Sequence, residues 1–273
     1  MKVLVLGLPK SGTSILTYRI FDAVPGLWKR LYFEKGARRG AEDVEFHRKI
    51  CFTLRAVVSK NLIYPNPNTS WDSIFRSTRY YNRCVWIARD PRDIIISNYF
   101  YHWLRGHNSP DEMFNKALTL TRDKEQNPAS TPFYRLVAET MSSGEEALIN
   151  WQQSTYGYLT QQAGNINANC HVFHYEDMIE DRLDDLNDYL GFTVVNDVEI
   201  DNERKRIVRS KAYDNWRRWF TQEDVDFFKP VLSTYLDTMG YDADDWQLIE
   251  EDSLPAEEGS AYMTKLRNRD VTS

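Results

Sequence analysis

Four short apolar runs mark the chain: Lys2–Gly7, Arg55–Ser59, Arg83–Ala88 and Asn169–His174. Each is nearly continuous and rich in Val, Ile and Cys, without the in-out alternation of a strand that has one wet face. Runs of this kind are the pattern of parallel strands covered on both sides. Stretches of helical pattern separate or follow them, at roughly Thr13–Ala23, Asp43–Leu54, Pro91–Trp103, Ala147–Ala163, Arg182–Leu190 and Gln222–Met239. Strands alternating with helices predict an α/β fold, a parallel β-sheet flanked by helices. Clusters of Gly, Asn, Pro and Ser across residues 105–146 predict an irregular insertion of the kind that walls a substrate site. There is no internal repeat and no low-complexity tract. The pattern divides the chain into one domain over residues 1–245 and an acidic, polar tail over 246–273. The last ~15–20 residues of that tail are expected to be loosely held.

No apolar run reaches the ~18–20 residues that span a bilayer. The apolar start, Met1–Gly7, is cut short by Pro9-Lys10-Ser11-Gly12 and reads as a strand, not a signal peptide. Cys51, Cys84 and Cys170 are odd in number and scattered, and two lie inside apolar runs. They read as reduced core thiols of a cytoplasmic protein. The net charge of −6 hides an asymmetry. Residues 1–110 hold 18 Lys+Arg against 8 Asp+Glu, and the remainder holds 16 against 32. A basic N-terminal part suits a small polyanionic ligand, although unevenly spread solvated charge gives the same count. With no basic run and no nucleic-acid motif, nucleic acid is not an expected partner. Nothing in the pattern sets an oligomeric state.

The chemistry concentrates where strands run into helices. Leu6-Gly7-Leu8-Pro9-Lys10-Ser11-Gly12-Thr13-Ser14 follows the first strand and opens the first helix. Backbone N–H groups in such a turn, with the helix N-terminus behind them, form an anion site. Gly12 permits the turn, Lys10 supplies a point charge, and Thr13 and Ser14 supply hydroxyls. The spacing of Gly7 and Gly12 matches a Walker A loop, but Thr13 stands where that loop has its Lys. Farther on, Val85-Trp86-Ile87-Ala88-Arg89-Asp90-Pro91-Arg92-Asp93-Ile94-Ile95-Ile96-Ser97 again takes a strand into a helix. Asp90 is the N-cap, Pro91 is at N1 and Asp93 is near N3. Arg89, at the strand end, can grip a phosphate with its fork, and Ser97, eight residues later, adds a hydroxyl.

These segments resemble the sulfotransferase family that uses 3′-phosphoadenosine 5′-phosphosulfate (PAPS) as donor and releases 3′-phosphoadenosine 5′-phosphate (PAP). Pro9-Lys10-Ser11-Gly12-Thr13-Ser14 is similar to the family's 5′-phosphosulfate loop. The resemblance implies that Lys10 meets the bridging oxygen and the sulfuryl group, while the following amides and hydroxyls hold the 5′-phosphate. Arg89 and Ser97 resemble its 3′-phosphate pair. Arg209-Ser210-Lys211-Ala212-Tyr213-Asp214-Asn215-Trp216 resembles a later family segment and keeps its Arg-to-Trp spacing. Ser210, Lys211, Asp214 and Asn215 replace that segment's Lys, Gly, Gly and Asp. Arg209 is carried over as a further 3′-phosphate contact. Tyr175-Glu176-Asp177-Met178 resembles the segment whose Tyr lies near the adenine. The likeness covers about residues 1–240, and its fold implication is the family's P-loop nucleotide-binding type.

The base is where the chain departs from the pattern. Cytosolic members carry a His after a Lys at the end of a strand. Here Val58-Ser59-Lys60-Asn61-Leu62 keeps the Lys, at Lys60, but has Asn61 or Leu62 in place of the His. Carbohydrate and protein-tyrosine branches use a Glu some twenty-odd residues after the loop Lys. Glu34 stands at that distance from Lys10, after Tyr32 and Phe33, and an aromatic setting can raise the pKa of a Glu and help it act as a base. A surface acid paired with Lys35 or Arg38 would look the same. His47 is the second candidate base. These departures imply a bacterial-type or carbohydrate-type member with a small-molecule or carbohydrate acceptor bearing a hydroxyl or amine. No metal is expected: His102 with His107, and His171 with His174, lack the remaining ligands of a metal site. Two other readings stay open. One is a P-loop kinase or phosphotransferase, which needs a Walker-type Lys and an acid for Mg²⁺. The other is a catalytically silent PAP-binding protein.

Overall fold

The computed structural model describes residues 1–26, 28–33, 41–65, 70–104, 110–195 and 212–268. They fall into two compact units, Met1–Arg89 with Gln161–Ile200, and Asp90–Thr160 with Asp201–Ser273.

The first unit is built on a five-stranded sheet: β1 (Lys2–Gly7), β2 (Lys29–Phe33), β3 (Ala56–Leu62), β4 (Arg83–Ala88) and β5 (His171–His174). All four pairings are parallel, in the order β2-β3-β1-β4-β5. Val3, Leu4, Val5, Leu6, Val57, Val58, Val85, Trp86 and Ile87 are at most 1% exposed, so both faces are covered. That is why the strands read as unbroken apolar runs. β2 is the exception: an edge strand beginning Lys29-Arg30, with charges of the kind that blunt an open edge. The unit also holds α1 (Thr13–Ala23), α2 (Ala41–Thr53), α3 (Trp71–Thr78), α8 (Tyr175–Ile179) and α9 (Asp184–Leu190). β1 is central. The chain first builds to one side of it, through β2 and β3, and then to the other, through β4 and β5. The carboxyl end of β1 is therefore the topological switch point where open α/β sheets bind ligands.

The second unit is helical among the described residues: α4 (Pro91–Tyr101), α5 (Asp111–Gln126), α6 (Phe133–Thr140), most of α7 (Glu145–Asn169), α10 (Trp216–Trp219), α11 (Gln222–Thr238) and α12 (Ser260–Arg267). Its core is aromatic. Tyr99, Phe100, Phe133 and Trp219 meet edge to face, with ring centroids 5.0–6.2 Å apart. Buried Asp224 ties the helices together by accepting the N–H groups of Phe133 (2.8 Å) and Tyr134 (2.7 Å), which open α6.

Two expectations are corrected here. The described part of the segment 105–146, residues 110–146, is not an irregular insertion. α5 and α6 occupy most of the described part, and the Asn, Pro and Ser cluster is only the short link between them. Lys124, fully buried, closes that link by donating to the carbonyls of Pro128 (2.8 Å) and Thr131 (2.7 Å). Nor is the C-terminal tail loosely held as far as residue 268. Tyr262, Met263 and Leu266 of α12 are buried, and the Glu125 carboxylate accepts both the N–H and the hydroxyl of Ser260 at the helix start.

Candidate active site

In the first unit the turn Leu8–Gly12 joins β1 to α1 at the switch point. Two of its residues have left-handed backbones, Lys10 at φ 69° and Gly12 at φ 88°. For Gly12 this geometry is cheap, and a side chain would have no room: a Cβ there would lie 2.5 Å from the Tyr175 ring. For Lys10 it is strained, and such strain persists only where the surroundings over-determine it. Those surroundings include Arg89, whose Nη1 donates to the Lys10 carbonyl at 2.8 Å.

Ser11 closes the turn. Its N–H (3.3 Å) and its hydroxyl (2.7 Å) both donate to the Leu8 carbonyl, and the residue is 1% exposed. Its hydroxyl is therefore engaged inside the loop and not aimed outward. Pro9, Lys10, Gly12 and Ser14 are half-buried, whereas Thr13 is buried at the start of α1. The Lys60 ammonium donates to the Ser14 hydroxyl at 3.3 Å, so the end of β3 brings a second cation to the loop.

Arg89 directly follows β4, and Tyr175 directly follows β5, one residue beyond the Ala88–His174 pair. The Arg89 guanidinium lies over the Tyr175 ring, 4.3 Å from its centroid. Tyr175 is 5% exposed, buried between Arg89 and Gly12. Its place is thus against the loop and the arginine, a packing role that the resemblance did not imply. α8, which Tyr175 opens, is held to α1 by Arg19, whose Nη1 donates to the Met178 carbonyl and to Asp181, each at 3.2 Å. Nothing in the sequence singles out Arg19, because its partners lie some 160 residues away.

Lys10, Gly12, Ser14, Lys60, Arg89 and Tyr175 are therefore brought together. His47 is placed otherwise. It is 3% exposed on α2, its Nδ1 lies 2.6 Å from the Tyr81 hydroxyl, and Tyr81 donates to Ser59 Oγ at 2.9 Å. Ser59 pairs with Leu4, well back along the sheet from Gly7. These contacts give His47 a part in packing α2. Glu34 and Arg209 lie outside the described residues. β2 ends with Phe33 in register with Lys60. Ser97 lies half-buried on α4, in the second unit. There Asp90 caps α4 by accepting the Arg92 N–H (2.8 Å), and Asp93 accepts the N–H groups of Asp214 (2.8 Å) and Trp216 (3.3 Å). Trp216 and Trp219 are fully buried core residues.

The donor set fits a phosphorylated nucleotide: backbone amides at a helix start, two ammonium groups and a guanidinium, with no carboxylate on the turn itself. A parallel α/β fold with a basic turn at its switch point is the class these features define. A sequence profile of the sulfotransferase domain matches residues 1–196, and the chain belongs to that family. No curated protein matches it. Among solved structures it is similar to the crystal structure of mouse sulfotransferase SULT7A1 complexed with PAP, with a TM-score of 0.50 and 16% identity over 86% of this chain and 84% of that one. A second similar structure is retinol dehydratase in complex with androsterone and inactive cofactor PAP, with a TM-score of 0.33 and 14% identity over 100% of this chain and 82% of that one. The likeness to the mouse enzyme supports the fold, as the sequence pattern implied.

Proposed function

We propose that this sulfotransferase takes its sulfuryl group from PAPS and transfers it to a hydroxyl or amine of a small-molecule or carbohydrate acceptor, releasing PAP. The observation that carries the reading is the bond from Arg89 to the Lys10 carbonyl, which fastens the candidate 3′-phosphate ligand to the candidate 5′-phosphosulfate loop. Bound PAPS would supply a sulfuryl group already activated by a phosphate leaving group. Lys10 lies in the turn where an ammonium can neutralise charge on bridging and sulfuryl oxygens. The amides at the start of α1 and the Ser14 hydroxyl are the donors for the 5′-phosphate. Lys60, bonded to Ser14, adds positive charge beside that hydroxyl. Arg89 receives the 3′-phosphate, and Ser97 and Arg209 are the further donors that the resemblance implies. Tyr175 backs Arg89 and so sets its orientation.

Glu34 is our proposed base. In the sequence it directly follows β2, and a carboxylate base takes the acceptor's proton as the new bond forms. We further propose that residues 1–245 act as one P-loop-type sulfotransferase domain, because the family match runs through parts of both compact units. A cytoplasmic location agrees with the three free cysteines, and no helix among the described residues is long and apolar enough to cross a membrane.

The test is transfer from sulfur-labelled PAPS to a panel of phenols, alcohols, sugars and amines. Labelled product formed with stoichiometric release of PAP supports the reading. Mg²⁺-dependent phosphoryl transfer from ATP, with no transfer from PAPS, would replace it with the kinase reading.

A further inference from the structure

Cys84 and Cys170 stand just before the first register pair of β4 and β5, Val85 with His171. Neighbouring strands run about 4.8 Å apart, inside the range of Cα separations that a disulfide bridges. The two sulfurs are 2.9 Å apart, closer than unbonded sulfur atoms ordinarily sit. Their backbones are fixed on both sides. The Tyr189 hydroxyl accepts from the Cys84 N–H and donates to the Cys84 carbonyl, each at 3.0 Å. Arg83 Nε holds Tyr189 by donating to its carbonyl at 2.6 Å, and the Tyr189 ring stacks on His171 with centroids 4.5 Å apart. Cys170 caps α7, its N–H donating to the Ile166 carbonyl at 2.8 Å. Cys51 belongs to a different cluster, with Ile50 and Val57.

We propose that Cys84 and Cys170 are a modification site, at which a peroxide oxidant joins them in an intramolecular disulfide. The thiolate of one cysteine attacks a peroxide oxygen. The O–O bond breaks, hydroxide leaves, and the attacking sulfur becomes a sulfenic acid. The second sulfur then attacks the first, the S–O bond breaks and water departs. Two electrons pass from the sulfur pair to one peroxide, which ends as two waters. The sulfurs need to close by roughly 1 Å to reach the ~2.05 Å of the S–S bond. Burial pushes the Cys84 thiol well up, so attack is slow and favours a small neutral oxidant such as hydrogen peroxide. The bond would staple the starts of the two strands whose far ends carry Arg89 and Tyr175. It is independent of the reaction proposed above.

The experiment treats the native full-length chain with hydrogen peroxide, removes the oxidant, unfolds the protein and alkylates its thiols. The reduced chain takes three alkyl groups. The oxidised chain is expected to take one, on Cys51, and to yield a peptide pair joining Cys84 to Cys170 that dithiothreitol separates. Three alkyl groups after oxidation, or a bond through Cys51, would overturn the proposal. Cys51→Ala keeps both partner sulfurs and is expected to take no alkyl group after oxidation; two would overturn it. In the urea-unfolded chain exposed thiols meet peroxide faster, but the bond should lose its preference for the Cys84–Cys170 pair, and the same share of bonds through Cys51 in folded and unfolded chains would show that the folded geometry contributes nothing.

Discussion

Arg89 donates from Nη1 to the main-chain carbonyl of Lys10 at 2.8 Å, across 79 residues of sequence. One guanidinium thereby pins the loop residue with the strained backbone and lies over Tyr175 at the end of β4. A lysine could supply the charge but not the several donors of a planar fork.

Replacing Arg89 with Ala should weaken PAP by ten- to a hundredfold, since a hydrogen bond to a charged group is worth about 1.5–3 kcal/mol. Adenosine 5′-phosphosulfate, which lacks the 3′-phosphate, should lose less. Calorimetric titration of both ligands checks this. Equal losses would mean that Arg89 only supports the loop.

Gly12→Ala should be destabilising on two grounds. A left-handed backbone costs a residue with a Cβ about 1–2 kcal/mol, and that Cβ would press on the Tyr175 ring. Removing the ring with Tyr175→Ala should relieve the second cost but not the first. A double-mutant cycle in urea is therefore expected to be non-additive, with the pair less destabilised than the two singles together. Additive losses would contradict the packing of Tyr175 on the turn.

The sequence made part of this site legible. β1, β4 and α1 have the very bounds that the apolar runs and the cap residues predicted, because Gly12, Asp90 and Pro91 mark strand-to-helix junctions chemically. β2 was missed because Lys29-Arg30 open it, and α5 because its face is largely polar. α12 was hidden in an acidic tail, where its inward-packing apolar residues, Tyr262, Met263 and Leu266, lie among polar ones. The stacking of Arg89 on Tyr175 follows from β4 lying beside β5, a pairing between segments over 80 residues apart that no local pattern encodes. The loss of Ser11 as an outward donor is likewise a matter of turn geometry, since only the folded chain shows its hydroxyl closing on Leu8.

Lys124 offers a test of the second unit. Burial lowers its pKa from 10.5 to about 8. A neutral amine still has two N–H groups for the carbonyls of Pro128 and Thr131. Between pH 8 and 10.5 the unfolded chain binds more protons at this site than the folded one, so its contribution to stability rises with pH across that window. The shift corresponds to on the order of 3 kcal/mol. The urea stability of the wild type minus that of Lys124→Met should therefore grow from pH 8 to pH 10. A flat or falling difference would show that Lys124 keeps its charge when buried.

Glu34→Gln should leave PAP affinity nearly intact and lower transfer by ~10²–10⁴-fold, the usual worth of a positioned base. Lys10→Ala should damage donor binding and turnover together. With an acceptor from the panel, kcat and the PAP dissociation constant separate the two effects. Near-normal turnover in Glu34→Gln with loss in His47→Ala would pass the base to His47.

The central claim is a site for a nucleotide carrying both a 5′ and a 3′ phosphate, and its most direct measurement is calorimetric titration of the full chain with PAP and with ADP. A lost charge-assisted contact of about 1.5–3 kcal/mol sets the expected result: one PAP per chain, at least tenfold tighter than ADP, with the advantage lost in Arg89→Ala. Equal affinity for PAP and ADP, or tighter binding of Mg²⁺–ATP than of PAP, would contradict it.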